Sequence, residues 1–374
     1  MNLRTPGPTP CPPDVLAAMG RQMDDHRGPV AAALIHRLTA GLKRAFQTQN
    51  DILIFTSSGT GGLEAAVVNT LSPGDKVLAV SIGNFGDRFA AIAKAYGAAV
   101  TKLDFPAGHA ADPEAVAAAL RVEPDIRAVL VTHNETSTGV TNPLSEIARA
   151  VREADPGLGG QERLLLVDSV SGLGSLPCPV DAWDLDVVVS GSQKGWMVPP
   201  GLAFMSMSAR AWQAFARATM PRYYFDAARA RDAQAKGQTP WTPALSLFYA
   251  MDVALAALEH EGWEQVYARH ARIGAHTRRG VKALGLELLA DERVASNTVT
   301  AVKVPEGVDA ATLRRLLREE YGVVVAGGQG ALSNKIVRIG HMGLVSEAEI
   351  DEALSALGQA LARLGFPGKA GARV

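Results

Sequence analysis

Three segments of this 374-residue chain end an apolar run with side chains able to do chemistry. In Ser57-Ser58-Gly59-Thr60-Gly61-Gly62-Leu63-Glu64, the glycines that follow the run Ile52 to Phe55 let main-chain amides converge ahead of an apolar, helix-like stretch. Such a turn at a helix N-terminus offers unpaired N–H groups and the positive end of the helix dipole, which suits a phosphate. Its spacing is neither a Walker loop, which needs Gly-Lys-Ser/Thr, nor the GxGxxG dinucleotide turn, and a plain strand-to-helix turn has the same composition. In Leu164-Leu165-Leu166-Val167-Asp168-Ser169-Val170 a carboxylate closes an apolar strand, at the edge where open parallel sheets bind ligands. Burial without a partner would raise its pKa, so Asp168 meets a protein cation, caps a helix or faces a ligand cation. In Asp186-Val187-Val188-Val189-Ser190-Gly191-Ser192-Gln193-Lys194, a third run leads through small residues to a lysine followed by Trp196, Met197 and Val198. A lysine in apolar surroundings holds its proton less tightly and can attack an aldehyde as a free amine.

An anion cradle, an acid for a ring cation and an amine for a Schiff base are together the parts of a pyridoxal phosphate site. The phosphate anchors the cofactor, the acid keeps the pyridine nitrogen protonated as an electron sink, and the lysine holds the aldehyde and later moves protons.

These residues need a scaffold that brings strand ends together. Apolar runs at Ile52–Phe55, Val77–Ser81, Ala128–Thr132, Leu164–Val167, Asp186–Ser190 and Leu202–Met207 read as buried parallel strands, because they are apolar at consecutive rather than alternate positions. Between them lie helical stretches such as 142–151, where Asn142 is the expected N-cap, Pro143 stands in the first turn, and Leu144, Ile147 and Val151 share a face. From 242 to 284 the pattern is continuously helical. A strand (Thr298–Val304), a helix (Ala310–Tyr321) and two strands (Val323–Val325, Lys335–Ile339) follow. The last helix opens with a capping box from Ser346 to Glu349, carries Ile350, Leu354, Leu357, Leu361 and Leu364 on one stripe, and meets Gly365 and Pro367. The expectation is an α/β chain: a mainly parallel sheet in a large domain over 15–255, with residues 1–14 and 256–374 forming an N-terminal segment and a smaller C-terminal α+β domain.

Composition limits the partners. Lys plus Arg (37) nearly equal Asp plus Glu (38), so the field that draws proteins to nucleic acid or anionic lipid is absent. Two cysteines, Cys11 and Cys178, form neither a disulfide framework nor a metal-spaced cluster, and no uncharged apolar run approaches a membrane span. A cytoplasmic protein without a bound metal is expected.

The order of motifs is more specific still. Ser58-Gly59-Thr60, Gly83-Asn84-Phe85-Gly86-Asp87-Arg88, Thr132-His133-Asn134-Glu135-Thr136-Ser137-Thr138-Gly139, Val167-Asp168-Ser169-Val170 and Ser190-Gly191-Ser192-Gln193-Lys194 resemble the class V, fold type I aminotransferases. Within that class the chain is similar to the alanine–glyoxylate and serine–pyruvate aminotransferases, from Pro6-Gly7-Pro8 to Arg338-Ile339-Gly340-His341-Met342-Gly343. The resemblance implies that Lys194 forms the Schiff base with pyridoxal 5'-phosphate and Asp168 contacts the pyridine nitrogen. It further implies that Phe85 stacks on the ring with Val170 on the opposite face, and that Thr136 lies near the phenolic oxygen, a place for which Thr132 and Thr138 also compete. Ser58, Gly59, Thr60 and Gln193 would bind the phosphate, and Thr242 would reach it from a neighbouring subunit, which implies a homodimer with shared active sites. Many relatives carry a tyrosine three positions before that threonine, where this chain has Thr239. Arg338 would grip the substrate α-carboxylate through its planar fork, and Gly7 would lie beside a short substrate side chain. No role is assigned to His341, His26 or Arg27.

The activity this implies is ping-pong transfer of an amino group from a small amino acid, alanine or serine, to a small 2-oxo acid, glyoxylate or pyruvate. A phosphoserine aminotransferase or a lyase on the same scaffold is the alternative enzyme, and a non-catalytic pyridoxal phosphate-binding accessory protein the alternative of another kind. A Rossmann-type nucleotide binder offers Lys194 no role. A cysteine desulfurase would need a cysteine late in the chain, and none lies beyond Cys178.

Overall fold

The computed structural model describes residues 1–155 and 162–366. In chain order its strands are β1 (Asn2–Arg4), β2 (Asp51–Ser57), β3 (Lys76–Ser81), β4 (Ala99–Asp104), β5 (Ala128–Thr132), β6 (Asn134–Glu135), β7 (Val140–Thr141), β8 (Leu164–Asp168), β9 (Val187–Gly191), β10 (Gly201–Met207), β11 (Val299–Lys303), β12 (Val323–Gly327) and β13 (Ile336–Gly340). Seven form one sheet in the order β2-β10-β9-β8-β5-β3-β4, and four form a second in the order β1-β12-β13-β11.

Consecutive apolar residues in the large sheet are explained by cover on both faces. Leu165 and Val167 of β8 belong to one buried cluster, with Leu34, Leu38, Ile147 and Phe248 from the helices Pro29–Phe46, Leu144–Glu153 and Leu245–Glu261. Leu164 and Leu166 point the other way, into a cluster with Leu63, Val67 and Phe89 from the helices Gly59–Thr70 and Asn84–Ala95. Truncating such a leucine to alanine costs about 2–5 kcal/mol. The second sheet packs against the helices Trp263–Ala283, Ala310–Tyr321 and Glu347–Arg363 through Ile273, Leu313, Leu317, Val337, Ile350 and Leu357.

Several expectations are corrected. The strand at Leu202–Met207 is not parallel: β10 runs antiparallel to both β2 and β9, because β9 and β10 are joined by a short connection at 192–200 that can only reverse the chain. Asn142 does not cap a helix. Its Oδ1 accepts from Ala111 N at 2.8 Å and its Nδ2 donates to Thr132 O at 2.8 Å, while the helix starts behind Pro143 with no side-chain cap. The helical stretch at 242–284 is two helices, broken at Gly262, whose φ of +88° suits only a residue without a Cβ. The edge strand β4 was hidden by its polar, half-exposed sequence, and β1 by its length of 3 residues. The capping box at Ser346 and Glu349 is present; Pro367 lies outside the described residues. No described helix is long and apolar enough to cross a membrane.

Candidate active site

Parallel strands β5, β8 and β9 place their C-terminal ends along one edge, and the expected acid and amine meet there. Asp168 is the last residue of β8 and is buried. Its Oδ1 accepts from Val170 N at 2.9 Å, and no described cation lies within ion-pair distance, so burial pushes its pKa up to about 7. Lys194 stands three residues beyond β9. Its Nζ donates to the Pro6 carbonyl at 2.5 Å, and it pairs with no described carboxylate. Burial, reinforced by the positive charge of Arg338, brings it down to about 8, against the opposing pull of Asp168.

The N-terminal segment covers this lysine. Thr9 N donates to Gln193 O at 3.1 Å and Thr9 Oγ1 to Lys194 O at 3.0 Å. Gly7 sits with φ +116°, and a Cβ there would lie 2.6 Å from Lys194 Nζ. Gly7 therefore lies against the lysine itself.

The helix Gly59–Thr70 begins at the same edge behind Ser58, which is extended, exposed and makes no capping bond. The N–H groups of its first turn have no partner within the helix. Gly59 lies so close to Val170 that a Cβ would come within 2.7 Å of Val170 Cγ2. Gln193 Oε1 is buried without a hydrogen-bond partner, 3.1 Å from where a Cβ on Gly191 would stand. Since oxygen and nitrogen of an amide are interchangeable by a flip, Gln193 can turn a donor toward an anion in this cradle. An orphaned amide, a free helix start and a glycine pressed on Val170 fit the phosphate end of pyridoxal phosphate. The unpaired acid and amine fit its ring nitrogen and aldehyde.

Phe85 is half-buried at the start of the helix Asn84–Ala95. Arg88, one turn on, lies 4.8 Å above the Phe85 ring and donates to Thr60 Oγ1 at 3.4 Å. Arg338 on β13 is buried, and burial lowers its pKa while Glu135 opposes that shift. Its Nε donates to Gly327 O at 2.8 Å and its Nη1 to Thr136 O at 3.0 Å, leaving Nη2 without a described partner and the guanidinium without a carboxylate. Thr136 is thus beside Arg338 through its carbonyl. Thr132, the register partner of Asp168, has a buried hydroxyl with no partner.

Thr242 is exposed, and no hydrogen bond ties it to Ser58, Gly59, Thr60 or Gln193 of its own chain. Thr239 Oγ1 donates to Trp241 O at 2.6 Å, closing a turn. His341 is a packed residue whose Nε2 meets Thr300 Oγ1 at 2.9 Å and whose Nδ1 meets Asn297 O at 3.2 Å. His26 is half-buried and Arg27 exposed. Pro6, Arg88 and Glu135 contribute to the site although sequence reasoning gave them no role. Arg88 carried a signal in its i, i+3 spacing from Phe85; a main-chain carbonyl such as that of Pro6 carries none.

This fold and this edge define a class, and comparison gives its name. Residues 1–352 match the family described as aminotransferase class-V, and the chain belongs to that family. It is 43% identical over 97% of its length to the "Soluble hydrogenase, small subunit" of Synechococcus sp., of which it covers 94%. It is 39% identical over 93% of its length to the serine–glyoxylate aminotransferase of Methylorubrum extorquens, covering 88% of that protein. Among solved structures, the alanine–glyoxylate aminotransferase of Nostoc sp. superposes with a TM-score of 0.91 at 32% identity, over 96% of this chain and 95% of that one. Among the described residues no group of three or more His, Cys, Asp or Glu could hold a metal ion, and both cysteines are free thiols.

Proposed function

We propose that this protein transfers the amino group of a small amino acid, alanine or serine, to a small 2-oxo acid, glyoxylate or pyruvate, in two ping-pong half-reactions on pyridoxal 5'-phosphate. The observation that carries this reading is a pair of titratable groups at one sheet edge: a half-buried amine held by a carbonyl and a buried acid held by one N–H, neither satisfied by the other. When bound, the cofactor supplies an aldehyde that captures the amino group and a protonated ring that draws off the electrons released at the α-carbon.

The chain's residues do the rest. Ser58, Gly59, Thr60 and Gln193 hold the phosphate, and Phe85 and Val170 fix the ring plane from its two faces. Asp168 holds the ring N–H, and a cation at that place returns its pKa toward the ordinary carboxylate range. Thr136 supports the phenolic oxygen. Arg338 presents its fork to the α-carboxylate, and Gly7 leaves room for a short side chain. Lys194 Nζ, at its lowered pKa of about 8, is neutral in a useful fraction of molecules near neutral pH, takes the α-proton and returns it. Thr242 completes the phosphate site of a second copy, so the working unit is a homodimer, with residues 15–255 as the cofactor domain and 1–14 with 256–374 as the remainder. A cytoplasmic location belongs to the same reading.

Borohydride trapping of the yellow protein, followed by peptide mapping, is expected to label Lys194. Mixing the trapped-competent enzyme separately with alanine, serine, aspartate, phosphoserine and ureidoglycine is expected to bleach the aldehyde band with alanine or serine. No bleaching by any donor would overturn transamination.

A further inference from the structure

Glu135 is a fully buried carboxylate for which neither its position nor its motif predicted a role. Four donors surround it. Its Oε2 accepts from Phe85 N at 2.9 Å and Gly86 N at 3.1 Å, and its Oε1 accepts from Ser137 N at 3.0 Å and Ser137 Oγ at 2.7 Å. Burial pushes its pKa up overall, against the opposing pull of these four bonds. Three main-chain N–H groups can only donate, so each oxygen accepts at least one bond from a fixed main-chain position. Its negative end also sits at the N-terminus of the helix Asn84–Ala95, where the helix dipole favours it.

What those donors belong to gives the residue its meaning. One oxygen fixes the second and third residues of the helix, of which Phe85 is the proposed ring-stacking aromatic. The other fixes the turn between β6 and β7, whose Thr136 carbonyl holds Arg338 Nη1 at 3.0 Å. The two halves are tied again by Asn84 N donating to Ser137 Oγ at 3.0 Å, and Asn84 Nδ2 reaches Gln329 Oε1 at 3.3 Å beside the end of β12. Gly83 makes the approach possible, since a Cβ there would stand 2.8 Å from Glu135 Cδ. One side chain therefore joins the ring stack to the carboxylate clamp.

We propose that Glu135 is a positioning residue that sets Phe85 and Arg338 in register with one another, so that the cofactor plane and the substrate carboxylate are held at one fixed spacing. This rests on the roles proposed above for Lys194, Phe85 and Arg338, and the test separates the two. The wild-type protein is first loaded with pyridoxal phosphate and trapped with borohydride; absence of label on Lys194 would overturn the site reading and this inference with it. With labelling established, E135Q is compared with wild type. Glutamine keeps the shape but points an NH2 group at N–H donors, so one half of the junction must open.

The expected result is a folded E135Q that binds the cofactor, shows a cofactor-band circular dichroism different from wild type in size or sign, and raises KM for the amino donor about tenfold or more with a smaller change in kcat. A folded E135Q with wild-type dichroism and wild-type KM would overturn the inference. If E135Q does not fold, S137A decides the matter, because it removes the hydroxyl that donates to Oε1 and accepts from Asn84 N but keeps the main-chain bonds of Phe85 and Gly86 to Oε2. A severalfold rise in KM with unchanged dichroism supports the junction, and a wild-type KM refutes it.

Discussion

Strands β8 and β9 carry buried charges at both ends, and the two ends treat them in opposite ways. At the N-terminal edge Asp186 is 0% exposed and saturated: Ser208 Oγ and Arg210 Nε donate to one oxygen at 2.8 and 2.7 Å, and Arg152 Nη2 and Leu165 N to the other at 2.6 and 2.8 Å. Arg163, also 0% exposed, donates to the carbonyls of Ile126, Ala154 and Pro124 at 3.0, 2.8 and 3.1 Å. At the C-terminal edge Asp168, 4% exposed, has one N–H, and Lys194 has one carbonyl. A buried charge with every valence filled repays part of its desolvation and serves the fold; one left open is costly and persists only where a ligand completes it. Burial alone does not separate a structural charge from a chemical one. The count of filled valences does.

The contrast can be broken experimentally, most severely at the lysine. K194A is expected to slow single-turnover transfer by about 10³-fold or more, and D168N by about 10²–10⁴-fold. Neither should lower the melting temperature of the cofactor-free protein, because each removes an unsatisfied charge. Next, D186A takes one carboxylate from two arginines that both keep Asp184 and leaves the buried Leu165 N without its acceptor, so it is expected to cost about 1–3 kcal/mol in urea unfolding while the folded fraction keeps its kcat within a fewfold. If K194A destabilises as much as D186A, the two edges are alike and the comparison fails.

A smaller effect is expected at the clamp. R338K keeps the charge but loses the fork, and should lower kcat/KM by about ten- to a hundredfold, mostly through KM. Acid unfolding gives the mildest test. His133 and His270 are brought down to about 4, and His341 to about 3, by burial. The unfolded chain therefore binds more protons than the folded one between about pH 4 and 6.5, and stability falls as pH drops through that window. Asp168, raised to about 7, works the other way, binding its proton in the folded state and losing stability as pH rises from about 4 to 7. Melting curves of the cofactor-free protein from pH 4.5 to 7.5 should show a steeper acid-side slope in D168N than in wild type; equal slopes would mean that Asp168 is ionised throughout.

How much was legible follows from the distance over which each feature is decided. The runs ending in Asp168 and Lys194 announced themselves, because an apolar strand covered on both faces leaves its consecutive hydrophobic residues in the sequence. The helix Glu347–Arg363 did so through its capping box. The direction of β10, the break at Gly262 and the use of Asn142 as a strand bridge were not legible. Each depends on what the neighbouring chain offers rather than on local preference.

Residue order alone determined that a glycine-rich turn, an acid and an amine would each close a strand or open a helix, since adjacent parallel strands must finish on a common edge. Tertiary structure alone decided what meets them there. Pro6 reaches Lys194 across 188 positions, Arg338 reaches Thr136 across 202, and Glu135 meets Phe85 across 50. Contacts so remote leave no periodicity behind, because main-chain carbonyls and amides are the same at every position and only folding selects which of them is near.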